Sequence, residues 1–195
     1  MRANEKQEGR DPGGGDMKED RGSALPAFFY RLPASAQRTY LQSDAIDRYE
    51  FAPGRQAADA VSALVGALER GSPAVTSRAA QAVATEVCRA AGVRPIAVDV
   101  RAVRPRNARG ELHGLFYPAD SRTHTPARII LWMRTAARHD VVKPKTFVRT
   151  LMHELAHYLD YALLRLEESY HTPGFFKRES YLVRALFPAS FAAES

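Results

Sequence analysis

Between Thr150 and Asp160 the chain carries His153, Glu154 and His157 in the order HExxH. On a helix, at about 100° per residue, positions 153 and 157 lie roughly 40° apart and one turn from each other, so two imidazoles reach a single tetrahedral ion. Glu154 falls at the edge of the same face. It is too displaced to be the obvious third ligand, but it is placed to take a proton from a water at the ion. With His153 at zero on the same wheel, Leu151, Leu155, Leu159 and Leu166 fall at roughly 160°, 200°, 240° and 220°, which makes the opposite face a packing surface. With 6 His in 195 residues, a shuffled chain would contain this motif only about 0.01 times, so the string is informative before its context is weighed. The plainer reading is a buried helix whose two imidazoles are satisfied by ordinary hydrogen bonds.

A catalytic zinc site takes three protein ligands and keeps one position for water. Cys88 is the single cysteine, so intrachain disulfides, Cys-rich zinc knuckles and CxxC redox pairs are excluded, and any metal falls to His and carboxylates. His171 is the leading third ligand for one Zn2+ ion. It lies 14 residues past His157, far enough for the helix to end and the chain to return. It directly precedes Thr172 and Pro173, which can cap and open a further helix and so hold the ring in place. Glu179, a carboxylate on that following helix, is the rival. The softer nitrogen of His171 is preferred. Asp160 is the candidate to accept a hydrogen bond from the outer nitrogen of a ligand imidazole and fix its tautomer. His113, His124 and His139 read as surface or core residues. Tyr161 and Tyr170 are both near enough in sequence to serve an oxyanion, and nothing selects one of them.

These residues need elements to hold them. Pro144 marks a helix start, and the apolar pattern runs through Phe147, Val148 and Leu151 to about Leu166. Upstream, a helix is predicted from about Gln56 to Arg70, with Val61, Leu64, Val65 and Leu68 on one stripe and Gly71 at its end. A second starts at Ser72 and Pro73, carries Val75, Ala79, Val83 and Val87, and stops in a left-handed turn at Gly92. Phe28, Phe29, Tyr30 and Leu32 form an apolar patch, and the polar stretch after it as far as Phe51 is only weakly periodic. From Pro95 the period becomes two, with Ile96, Val98 and Val100 on one face of a strand. Further strands are expected at Leu112–Tyr117, interrupted by Gly114, and at Ala127–Met133, whose run of apolar residues suggests cover on both faces. The order implies an α+β fold, a small three-stranded sheet packed against the motif helix and the helix after it, with helices in front.

Residues 1–22 contain five Gly and eleven charged residues, too little apolar surface to offset ordering, and residues 1–24 are expected to be a disordered tail. No apolar run reaches membrane-span length and the charged N-terminus has no signal-peptide stretch, so a soluble, cytoplasmic protein without membrane contact is expected. The net charge of +6 is uneven: residues 101–149 hold 11 basic against 3 acidic residues. Arg101, Arg104, Arg106 and Arg109 are the densest part of this segment. They are the candidate contacts to nucleic acid, although Arg-rich solvated surfaces are also common.

The run His153-Glu-Leu-Ala-His157, followed by His171-Thr-Pro-Gly-Phe175, resembles the SprT-like (Spartan-type) zinc metalloproteases. Those combine HExxH with a spacer of similar length and a His-Gly-Pro-x-Phe segment; Thr172 stands where that family usually has Gly. The likeness covers roughly residues 112–187. It implies a zincin-like fold over residues 94–195, behind a helical region over 25–93, and a zinc-dependent endopeptidase with His153, His157 and His171 as ligands and Glu154 as general base. Several members of that family act on proteins attached to DNA, so the implied partners are a protein or peptide substrate and DNA along residues 101–149. A nucleic-acid-associated zinc module, with protease activity confined to DNA-bound proteins or absent, is the alternative.

Overall fold

The computed structural model describes residues 25–107 and 110–187. The tail expected over 1–24 lies outside them, as does Arg109. A short 3-10 turn, η1 (Phe29–Arg31), leads into five helices, α1 (Ala34–Asp44), α2 (Arg55–Glu69), α3 (Pro73–Ala90), α4 (Pro144–Ala162) and α5 (Pro173–Leu186). The strands fall between α3 and α4: β1 (Ala97–Val103), β2 (Arg106–Asn107), β3 (Gly110–Glu111), β4 (Gly114–Tyr117) and β5 (Arg128–Arg134). The fold is therefore α+β, with a mixed three-stranded sheet in the order β1-β5-β4 and a separate β2-β3 ribbon.

The central strand β5 pairs in parallel with β1, Val98 opposite Ile129 and Val100 opposite Leu131, and antiparallel with β4, Gly114 opposite Leu131 and Phe116 opposite Ile129. All five residues of β5 from Ile129 to Met133 are buried, as its uninterrupted apolar run requires. One buried cluster extends from Tyr49 through Val61 and Leu64 of α2, Val83 and Val87 of α3, the sheet residues Val98, Ile129 and Leu131, and Leu151, Leu155 and Leu159 of α4, to Leu186 of α5. The three leucines opposite the motif face are thus the helix's anchor, and truncating any one of them to Ala would cost about 2–5 kcal/mol.

The two outer edges of the sheet differ. On β1 the free backbone groups are taken by α3 side chains: Gln81 Nε2 donates to Ile96 O at 2.9 Å and Val98 N donates to Gln81 Oε1 at 2.8 Å. Ser77 Oγ donates to Val98 O at 3.3 Å and accepts from Val100 N at 3.2 Å. That edge is closed to pairing. Beyond β4 no further strand lies among the described residues.

Several boundaries differ from the sequence reading. The weakly periodic stretch after Leu32 contains a full helix, α1. It forms because its end packs on α5 rather than because of its own pattern, an instance of tertiary contact overriding propensity. Helix α3 ends as expected, with Gly92 at φ 67°. Helix α4 stops at Ala162, four residues short of the expected Leu166, and Arg165 takes φ 58° while Leu166 N donates to Asp160 O at 3.0 Å. This is a left-handed helix stop built on an arginine, so no Gly or Asn announced it.

Candidate metal centre

Helix α4 presents His153 and His157, and the turn before α5 presents His171. Thr172 is the N-cap of α5, its side chain accepting from Phe175 N, and Pro173 opens the first turn. The returning chain is pinned one residue after the third imidazole. The three Nε2 atoms approach each other closely: 3.3 Å for His153 and His157, 2.9 Å for His157 and His171, and 3.1 Å for His153 and His171. The three residues form a group able to hold a metal ion. A tetrahedral ion at the usual zinc–nitrogen distance of about 2.0–2.1 Å sets its nitrogens roughly 3.3–3.4 Å apart, close to the triangle seen here.

The outer nitrogens decide which protons are present. His153 Nδ1 lies 3.2 Å from Glu179 Oε2, and a carboxylate only accepts, so the proton is on Nδ1. Ser169 Oγ donates to Asp160 Oδ2 at 2.8 Å. Its one proton being committed there, the hydroxyl accepts from His157 Nδ1 at 2.8 Å. The inner Nε2 atoms of both rings are therefore bare lone pairs facing each other. A proton on His171 Nε2 can satisfy one of them, whereas a cation between the three satisfies all. Burial pushes the His157 imidazole well below 6.5, with His153, His171 and Arg178 adding to the effect. Burial and then His153 bring His171 to about 4, against the pull of Glu179. Both rings are neutral at pH 7, the form that ligates.

Phe175 is fully buried and its ring lies 5.2, 4.6 and 5.1 Å from the centroids of His153, His157 and His171. Being nearly equidistant from the three rings, it packs against all of them and covers one side of the triad. Two more aromatics flank the rings: Phe116 of β4 stacks near-parallel to His157 at 6.3 Å, and Phe176 stacks on His171 at 5.6 Å while 48% exposed.

Glu154 is buried against β4. An ideal Cβ on Gly114 would fall 2.7 Å from Glu154 Oε1 and from Thr150 Cγ2, so the glycine that interrupts the strand pattern is what lets α4 and this carboxylate lie so close to the sheet. Glu179, weighed above as a ligand, stands behind His153 and also lies 3.4 Å from Arg149 Nε. Asp160 stands one hydrogen bond further out than expected, reaching His157 through Ser169. Burial raises the Asp160 carboxyl above its usual range, a rise opposed by Arg178, whose Nε and Nη2 donate to its two oxygens at 3.1 and 3.0 Å. Ser169 and Arg178 escaped the sequence reading. Ser169 sits in an irregular loop with no spacing rule. Arg178 could have been noticed, because it falls on the same buried stripe as Phe175, Leu182 and Leu186.

Of the residues expected to meet nucleic acid, Arg104 is turned inward, buried and paired with Glu111 at 3.5 Å, so it is not available to a phosphate. Arg101 is exposed beside Asp99, 3.2 Å away, and Arg106 is exposed on β2. The cluster seen in the sequence is thus divided by the fold. Tyr161 donates to Glu168 and Tyr170 packs on Tyr40, while His113, His124 and His139 are exposed and lie outside the triad. No described helix is long and apolar enough to cross a membrane.

Compared with known proteins, the chain matches no family model, no curated protein and no solved structure.

Proposed function

We propose that the chain is a zinc-dependent metallopeptidase, an endopeptidase of the zincin type, with His153, His157 and His171 as ligands and Glu154 as general base. The observation that carries this reading is the triangle of Nε2 atoms, two of them held as lone pairs by Ser169 and Glu179, next to a buried carboxylate on the same helix turn. An all-nitrogen, tetrahedral set of this size suits zinc among common metals. The sequence resemblance to SprT-like proteases supports the same chemistry.

Bound zinc supplies a Lewis acid for the scissile carbonyl and lowers the pKa of water. Glu154 takes the proton of the attacking water and delivers it to the leaving amide nitrogen as the carbon–nitrogen bond breaks. His157 and His171 stay neutral throughout, because burial disfavours their charged forms. Phe175 keeps solvent from one side of the centre. Substrate reaches the other as an extended strand along the outer edge of β4, which no strand among the described residues pairs, since the β1 edge is already occupied by Gln81 and Ser77. Phe116 and Phe176 then border the scissile bond and favour apolar side chains beside it.

Glu154→Gln tests the reading. The variant should retain zinc, measured as metal content of the purified protein, and lose cleavage of an unfolded protein by about 10²–10⁴-fold. Wild-type protein without zinc, or undiminished cleavage by the variant, would overturn it.

A further inference from the structure

We propose that Ser169, buttressed by Asp160 and Arg178, is a positioning residue that sets the proton of His157 and so prepares its inner nitrogen for the metal. The proposal rests on the metal-centre reading above and assigns a role to residues outside the HExxH pattern. A serine hydroxyl next to an imidazole is ambiguous, because it can donate or accept. Here Asp160 removes the ambiguity by accepting the hydroxyl proton at 2.8 Å. Asp160 in turn is held by both Nε and Nη2 of Arg178, and the guanidinium and the carboxylate are fully buried. The order of donation runs one way, from Arg178 to Asp160, from Ser169 to Asp160, and from His157 to Ser169.

The anchor of this chain lies far away in sequence. Arg178 Nη1 donates to Ser43 O at 2.6 Å and to Ile46 O, and Nη2 donates to Ser43 Oγ at 2.9 Å. Ser43 Oγ also contacts Thr172 Oγ1, the cap beside His171, at 3.3 Å. An ideal Cβ on Gly174 would fall 2.5 Å from both Ser43 O and Asp44 O, so only glycine permits this approach of α5 to the end of α1. Every donor of the buried guanidinium is used, which leaves it one orientation. The end of α1 is thereby part of the wall that holds His157 and His171.

The test uses the full chain with Ser169→Ala and Ser169→Thr. In long-range ¹H–¹⁵N imidazole spectra of metal-free protein at neutral pH, the wild type and the Thr variant should show His157 protonated at Nδ1. The Ala variant should shift toward the Nε2-protonated form. Zinc competition against a chromophoric chelator should show affinity about 10–100-fold weaker for Ser169→Ala and near wild type for Ser169→Thr. An unchanged tautomer in Ser169→Ala, or a lowered melting temperature with undiminished zinc affinity, would assign Ser169 a packing role only and overturn the proposal. A wild type that binds no zinc would sink the metallopeptidase reading, and the imidazole spectra would still decide what Ser169 does.

Discussion

Adding one methyl group at Gly114 should inactivate the site from the sheet side. The glycine lies on β4 under the first turns of the motif, where an added Cβ would meet Glu154 Oε1 and Thr150 Cγ2 at 2.7 Å and Glu154 Cγ at 2.9 Å. Ordinary contacts begin near 3.4 Å, so strand and helix must separate, or the carboxylate must swing away, by about 0.7 Å at the closest pair. Helix α4 cannot yield easily, because Leu151, Leu155 and Leu159 fill the core behind it. The strain of such overpacking is about 1–3 kcal/mol in stability. If Glu154 is the general base proposed above, a displacement of this size lowers the rate by up to about 10²-fold even where binding survives. Gly114→Ala should therefore retain zinc, melt at a lower temperature, and cleave a fluorescence-quenched unfolded protein far more slowly at equal folded concentration. Since His153, His157 and His171 are untouched, metal content separates this outcome from collapse of the site. A variant as active as wild type would refute the placement of Glu154 against β4, and with it the reason given for the glycine.

Two further outcomes follow from the surroundings of the triad. Glu179→Ala should weaken zinc binding about 10–100-fold by freeing the outer nitrogen of His153, and should leave three protein ligands; a complete loss of zinc in a competition titration would return Glu179 to the ligand set. Metal-free protein should lose stability on acidification. An unfolded chain takes up protons on His157 and His171 near 6.5, whereas burial keeps the folded His171 from doing so until about 4 and holds His157 well below 6.5 as well. More protons on the unfolded state mean that stability is fully present above about 6.5 and falls as the pH drops through that value. Urea midpoints taken from about pH 7.5 down to 5.5 should decline, and a flat or rising series would count against buried neutral imidazoles.

Much of the site could be read from local periodicity. His153 and His157 lie one helical turn apart and the leucines fall opposite them, so the helix, its histidine face and its packing face follow from 3.6-residue geometry wherever the helix is placed. Thr172 and Pro173 likewise mark the start of α5 by capping rules that involve only neighbours. The strands at 97–103 and 128–134 follow from alternation and from an unbroken apolar run.

Tertiary contact alone decided the rest. Which atom stands behind each imidazole depends on side chains brought in from elsewhere: Glu179 behind His153, and Ser169, not Asp160, behind His157. Asp160 and Arg178 look like solvated helix charges until packing buries both and pairs them, and α1 becomes part of the site only because Arg178 reaches back to Ser43. Arg104 likewise counted as a surface cation until the β2-β3 ribbon brought Glu111 to it. Local spacing constrains the residues of one helix through a fixed repeat. Hydrogen bonds between residues as far apart as 43 and 178 obey no repeat, and the fold has to form before their partners are chosen.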